Sequence, residues 1–78
     1  MKKEVIIYSR QDCYLCHEVY AELISLYEDF IDINMIDVDN DITLKKKYGL
    51  IIPIISIDGE DFSANPVKHD HIRKILNL

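Results

Sequence analysis

Two cysteines lie where an apolar strand pattern gives way to an amphipathic helical pattern. The run Val5–Tyr8 is apolar and typical of a buried strand. From Cys13 onward, apolar residues recur at offsets of three and four, which predicts a helix of about four turns. Cys13 and Cys16 are three residues apart at this junction, and neighbours on a helix at that spacing can form a disulfide with little backbone movement. The apolar face of this helix comprises Cys16, Val19, Tyr20, Leu23, Leu26 and Tyr27.

Strand and helix patterns continue to alternate after this helix. Residues 31–38 carry apolar side chains at alternate positions, with a shift by one that indicates either a bulge or a buried centre in a second strand. One of residues 39–41 can cap a short helix that ends at Tyr48, and Gly49 stands where a left-handed C-terminal cap is expected. The side chains of this short helix that we expect to be buried are Ile42, Leu44 and Tyr48.

The last third of the chain predicts a hairpin and a final helix. Residues 50–57 are nearly all apolar, and Asp58-Gly59 is a strong signal for a hairpin turn into a brief strand over residues 60–63. Asn65-Pro66 is typical of a helix cap followed by proline in the first helical position. We therefore expect the last helix to run from this point to Leu76.

The order strand, helix, strand, helix, strand, strand, helix predicts an α/β fold. A β-α-β unit makes its two strands parallel through a right-handed crossover, whereas the hairpin makes the last two strands antiparallel. We therefore expect one domain over residues 1–78, with a mixed four-stranded sheet flanked by helices.

The composition excludes several classes of partner. With 14 acidic against 9 basic residues, the net charge is −5, which disfavours nucleic-acid binding. The chain has neither the apolar region of a secretory signal nor a run long enough for a membrane span. We expect a monomeric protein of the reducing cytoplasm without a cofactor, and there a disulfide is usually catalytic or redox-sensing.

The position of the cysteines predicts separate roles for them. Cys13 lies at the helix N-terminus, where free backbone N–H groups and the helix dipole stabilise a thiolate. We therefore expect Cys13 to attack a substrate disulfide and Cys16, one turn further in, to resolve the mixed disulfide. Asp12 places a negative charge beside the thiolate, which Arg10 can offset.

Three other interpretations of the cysteines are possible. Two buried structural thiols are disfavoured by the paired motif at a strand-to-helix junction. Cys13–His17 also matches the haem c attachment pattern, with Met35 as a candidate axial ligand, but an export signal is missing. A zinc site would use Cys13, Cys16, His69 and His71, whose spacing does not fit. We therefore expect no metal.

The motifs together resemble those of the thioredoxin superfamily, and in particular small bacterial glutaredoxin-like proteins. They are Tyr-Ser-Arg-x-x-Cys-x-x-Cys over residues 8–16, Lys-Tyr-Gly-Leu over 47–50, Ile52-Pro53 and Asp58-Gly59. The resemblance covers almost the entire chain and implies a thioredoxin-like (glutaredoxin-like) fold. It also implies that the bond before Pro53 is cis and that Pro53 lies opposite Cys13.

The resemblance implies a thiol–disulfide oxidoreductase that reduces protein or small-molecule disulfides. The expected catalytic pair is Cys13 and Cys16, and the expected substrate-binding residues are Arg10, Tyr14, Leu15, Ile52 and Pro53. The expected reductant is glutathione or a protein similar to thioredoxin reductase. Ser63-Ala64-Asn65-Pro66 stands where glutathione-dependent relatives usually carry a glycine pair. The alternative is a non-catalytic redox sensor or binding module of the same fold.

Overall fold

The computed structural model describes residues 2–78, which form a four-stranded mixed sheet flanked by three helices. The elements in chain order are β1 (Lys3–Ser9), α1 (Tyr14–Tyr27), β2 (Ile31–Asp37), α2 (Ile42–Tyr48), β3 (Ile54–Ile57), β4 (Glu60–Ser63) and α3 (His69–Leu76). The strand order is β2-β1-β3-β4, with β1 parallel to β2 and the other two pairings antiparallel. The predicted fold class and order of elements are confirmed.

The strands bury different side chains on their two faces, because successive side chains of a strand point to opposite sides. The larger core lies under α1 and α3, and the smaller one lies under α2. The larger core consists of Val5, Ile7, Val19, Leu23, Tyr27, Ile31, Ile55, Ile57, Ala64 and Ile72. The smaller core consists of Val38, Tyr48 and Ile54, with Tyr8, Leu44 and Ile52 packed against it.

The second strand contains no bulge, which was one of the two predicted causes of the shift in its apolar pattern. Its pairing with β1 is continuous from Lys3–Ile31 to Ser9–Asp37. The chain then enters a 3₁₀ turn over Val38–Asn40. The Asp37 carboxylate caps this turn by accepting a hydrogen bond from the backbone N–H of Asp39. The shift in the apolar pattern lies between Met35 and Ile36, inside the strand, where the side chains on both faces are partly buried. Val38, directly after the strand, belongs to the smaller core.

The turn and cap predictions have mixed outcomes. Asp41 caps α2 by accepting hydrogen bonds from the backbone N–H groups of Thr43 and Leu44 at 2.8 and 3.1 Å. Asp58 and Gly59 form the predicted hairpin turn, both with positive φ, at 53° and 80°. Gly49 is not left-handed, since its φ is −57°.

Gly49 is instead required for space. A Cβ there would lie 2.4 Å from the carbonyl oxygen of Lys45, which is too close for any side chain.

The predicted start of the last helix is also wrong. The Asn65–Pro66 peptide bond is cis, and α3 begins at His69, with Lys68 as a cap that makes no side-chain hydrogen bond. Pro66 therefore belongs to the segment that joins β4 to α3.

Three apolar side chains predicted to be buried are in fact exposed: Tyr20, Leu26 and Ile42.

Two histidines tie α3 to its neighbours. His69 Nδ1 lies 2.7 Å from the Tyr27 hydroxyl oxygen, and its Nε2 contacts the carboxylate of Glu22. His71 contacts the Glu60 carboxylate through Nε2 and packs edge-on against the Phe62 ring. α3 is thereby joined to α1 on one side and to β4 on the other.

None of the helices in residues 2–78 could traverse a lipid bilayer, and α1, the longest, has 14 residues.

Tyr48 joins α2 to the edge strand on the second face of the sheet. Its ring stacks on Tyr8 with centroids 4.1 Å apart, and its hydroxyl donates to the Asp61 carboxylate at 2.5 Å. This hydrogen bond is the main cause that lowers the pKa of Asp61, and it also raises the pKa of Tyr48 above its ordinary value. The bond therefore favours the folded state when Asp61 is ionised.

Replacing the Tyr48 hydroxyl should lower stability in a pH-dependent way. We expect Tyr48→Phe to reduce the free energy of unfolding by about 1 kcal/mol at neutral pH, since it removes one hydrogen bond to a charged group. Asp61 has a lowered pKa in the folded state, so its contribution is present above the unfolded pKa of about 4 and is lost as the pH falls through the folded value. Urea unfolding measured between about pH 7 and about pH 2 checks this.

The matched control is Tyr20→Phe, which removes an exposed hydroxyl from α1. It should leave the free energy of unfolding nearly unchanged at every pH. A Tyr48→Phe effect that stayed constant down to the lowest pH would contradict the proposed role of Asp61.

Candidate redox site

Cys13 and Cys16 form a disulfide at the start of α1, with their Cα atoms 5.2 Å apart. Cys13 is the N-cap residue and is extended, with φ −91° and ψ 100°. Cys16 is the third residue of α1 and is completely buried, whereas Cys13 remains partly exposed. A reagent from solution therefore meets the sulfur of Cys13 first.

The sulfur of Cys13 takes the place of a conventional N-cap oxygen. The backbone N–H of Cys16 donates to Cys13 Sγ at 3.1 Å, as an N-terminal helix donor does with Ser or Asp in this position. When the disulfide is reduced, the same donor and the positive end of the helix dipole favour the thiolate of Cys13.

The loop before Cys13 is held by its own hydrogen bonds. The backbone N–H of Cys13 donates to the carbonyl oxygen of Arg10 at 3.1 Å. His17 Nε2 lies 3.1 Å from the carbonyl oxygen of Gln11, and because a carbonyl only accepts, the ring nitrogen is the donor. His17 therefore fixes the loop from the second turn of α1, a role that the sequence pattern did not indicate.

Arg10 is directed towards the 3₁₀ turn and α2. Its Nε donates to the Asp39 carboxylate at 2.8 Å, and Lys45 Nζ lies 4.0 Å from the same carboxylate. The hydrogen bond from Arg10 is the main cause that lowers the pKa of Asp39. Arg10 thus has Asp39 as its ion-pair partner, whereas the sequence suggested that it offsets Asp12.

Pro53 lies at the end of the sheet where β1 stops and the loop over residues 10–12, which leads to Cys13, begins. The register pairs Tyr8 with Ile54, so Pro53 precedes this pair and lies beside Ser9 at the end of β1. Pro53 is buried, the bond that joins it to Ile52 is cis, and its carbonyl oxygen accepts from the backbone N–H of Ala64 at 3.1 Å. The segments around Pro53 and Ala64 therefore converge on the end of β1.

Four large apolar side chains are exposed on the segments near this end of the sheet. Tyr14 and Leu15 in the first turn of α1 are 71% and 47% exposed. Leu50 is fully exposed and Ile51 is 56% exposed, in the segment between α2 and Pro53. Of the predicted substrate-binding residues, Tyr14 and Leu15 are thus accessible, whereas Ile52 packs partly into the smaller core.

A groove of about 310 Å³ opens between α1 and the segment that joins β4 to α3. Leu15, Glu18 and Glu22 line it from α1, and residues 64–67 with His69 line the other side. The sequence assigned Glu18 only to the polar face of a helix. Its place in a groove was not predictable, because the opposite wall lies more than forty residues later in the chain.

The residues of the haem and zinc alternatives are not gathered at the cysteines. Met35 packs against the larger core, and His69 and His71 bind different carboxylates on different elements. Within residues 2–78, no group of three or more His, Cys, Asp or Glu side chains is arranged to hold a metal ion.

This arrangement is that of a thioredoxin-like domain with a disulfide-bonded cysteine pair at the start of its first helix. The family model described as Glutaredoxin-like domain (DUF836) matches residues 4–77, so the chain belongs to this glutaredoxin-like family of the thioredoxin superfamily. The resemblance found in the sequence is thereby confirmed. A comparison with curated proteins finds no match. The family and the cysteine pair together indicate a redox function.

The two thiols of the reduced protein should differ strongly in reactivity. We expect iodoacetamide to modify Cys13 at least about tenfold faster than Cys16, because Cys13 is accessible and its thiolate is stabilised by the helix N-terminus. Mass spectrometry after timed alkylation of the Cys16→Ser and Cys13→Ser variants measures the two rates separately. Equal rates for the two variants would contradict the asymmetry described above.

Proposed function

We propose that this protein is a thiol–disulfide oxidoreductase that transfers two electrons from its dithiol to a substrate disulfide. The observation that carries the proposal is the hydrogen bond from the Cys16 backbone N–H to the sulfur of Cys13. Cys13 is accessible, whereas Cys16 is buried. One sulfur is thereby prepared to attack, and the second is kept within bonding distance of it.

The proposed reaction has two exchange steps. The thiolate of Cys13 attacks one sulfur of the substrate disulfide, forms a mixed disulfide and releases the other substrate sulfur as a thiolate. The thiol of Cys16 then loses its proton and attacks the sulfur of Cys13, which restores the Cys13–Cys16 disulfide and releases the second substrate thiolate. The substrate gains two electrons and, at neutral pH, two protons, and the enzyme is oxidised by the same amount. A thiol reductant, glutathione or a protein similar to thioredoxin reductase, returns the enzyme to the dithiol.

The neighbouring residues have proposed roles in binding. The backbone of Ile52 is the candidate partner of an extended substrate chain, because Ile52 lies two residues before the Tyr8–Ile54 pair at the end of β1. Tyr14 and Leu15 offer accessible apolar contacts beside the reacting sulfur. Arg10, already held by Asp39, is the candidate contact for an anionic group of the substrate.

The exposed apolar side chains favour a protein as the substrate. Tyr14, Leu15, Leu50 and Ile51 would be covered by a partner surface, as apolar groups at the centre of a protein interface are. We propose that the protein acts as a monomer in the cytoplasm, where a dithiol of this kind stays reduced between turnovers.

Disulfide reduction by the wild type and two variants tests the function. We expect the dithiol form to reduce insulin, with the rate lost in Cys13→Ser. Cys16→Ser should instead accumulate a mixed disulfide on Cys13, because the resolving thiol is missing. If the wild type does not reduce insulin or a small mixed disulfide, and Cys13→Ser behaves like the wild type, the oxidoreductase proposal fails and the redox-sensor alternative replaces it.

The reduction potential identifies the type of reductant. Equilibration with glutathione buffers should give a reduction potential of about −200 to −230 mV for the Cys13–Cys16 pair if glutathione supplies the electrons, as in glutaredoxins. A value near about −270 mV would assign it to a reductase-coupled protein of the thioredoxin kind. Turnover with glutathione or thioredoxin reductase as the sole electron source gives an independent check.

A further inference from the structure

The groove beside α1 begins in the first turn of that helix, which also carries the cysteine pair. Leu15, between the two cysteines in sequence, forms its near end, and Glu18 and Glu22 follow at offsets of three and seven on the same helix face. On the opposite side, the backbone N–H of Ala64 donates a hydrogen bond to the carbonyl oxygen of Pro53, at the end of the central strands. Both walls of the groove thus lie on segments that adjoin the cysteine pair or Pro53.

The walls of the groove are apolar and its rim is acidic. Leu15, Val19 and Val67 supply hydrocarbon surface, and Glu18 and Glu22 supply carboxylates. Glu22 is bound to His69, whose other ring nitrogen contacts Tyr27. Glu18 makes no ion pair with any other residue in the range 2–78, and no lysine or arginine of that range lines the groove. The groove therefore offers one uncompensated carboxylate at its edge.

This combination matches a basic side chain better than it matches glutathione. Lysine and arginine lay their aliphatic stems along apolar surface and place the cationic group at its rim. Glutathione carries one more carboxylate than amino groups, so Glu18 repels it overall. The charge of the whole chain, −5, acts in the same direction.

The position of Glu18 sets the spacing of the preferred substrate. Glu18 lies five residues after Cys13, which is about 7.5 Å along the helix axis. An extended peptide advances about 3.3 Å per residue, so the matching side chain lies two or three residues from the reacting cysteine.

We propose that this groove is a specificity subsite for protein disulfides in which a lysine or arginine lies two or three residues from the reacting cysteine. Glu18 is the residue that determines this specificity, and the hydrocarbon walls hold the stem of the basic side chain. The inference rests on the proposed oxidoreductase function and names the class of substrate for it.

Three peptides test the subsite. They are identical mixed disulfides with 2-mercaptoethanol, except that the residue two positions from the cysteine is lysine, glutamine or glutamate. The second-order rate constant of each with the reduced protein is divided by the rate constant for bis(2-hydroxyethyl) disulfide, which has no charge. We expect the lysine peptide to react about fivefold faster than the glutamine peptide at low salt, with the glutamate peptide slowest and the preference reduced at about 0.5 M salt.

Variants of Glu18, with Glu28 as a control position, separate the effect of the subsite from the effect of the general charge of the protein. Glu18→Gln should bring the lysine-to-glutamine ratio to about one, and Glu18→Lys should reverse the order of the lysine and glutamate peptides. Glu28→Gln makes the same change of charge at the other end of α1 and should keep the fivefold preference. A preference that survives in Glu18→Gln, or that is lost equally in Glu28→Gln, overturns the subsite.

The uncharged disulfide distinguishes the two proposals. If the protein reduces bis(2-hydroxyethyl) disulfide but reacts equally with the three peptides, the subsite is wrong and the oxidoreductase function stands. If it reacts with none of the four compounds, both proposals fail.

Discussion

The pairing of β1 on both of its edges is the interaction on which the rest of the structure depends. β1 is parallel to β2 on one side and antiparallel to β3 on the other, so it fixes the registers of both, and the hairpin then adds β4 to β3. Val5 and Ile7 lie in the larger core under α1, and Tyr8 packs against the smaller core under α2. The carboxyl end of β1 is also where the cysteine loop begins and where Pro53 and Ala64 converge. The candidate redox site therefore lies at the end of a central strand of the sheet.

The helix that follows β1 gives the cysteines their different environments. A helix needs acceptors for its first N–H groups, and here the sulfur of Cys13 provides one for Cys16. The same helical turn carries Cys16 into the protein interior, where it is completely buried. One element of secondary structure thus supplies both the accessible sulfur and its protected partner.

The sequence predicted the features that depend on local physics. The order of elements, the Asp41 cap and the Asp58-Gly59 turn follow from short patterns, and each is present. Ile42 was expected to be buried because apolar residues favour the interior, but only Leu44 and Tyr48 of that helix face the smaller core. The start of α3 was missed because Pro66 lies in a connecting segment rather than in a helix. The place of Glu18 in a groove depends on contacts between distant parts of the chain, which no local pattern contains.

The burial of Cys16 has a consequence for the order of events in any exchange at this pair. Only the sulfur of Cys13 is accessible, so an incoming disulfide and an incoming thiol must approach the same atom. The two molecules therefore compete for one surface and cannot occupy it together. Under the proposed function, the protein therefore acts on its substrate and its reductant alternately. The substrate leaves it as the disulfide, and the reductant leaves it as the dithiol.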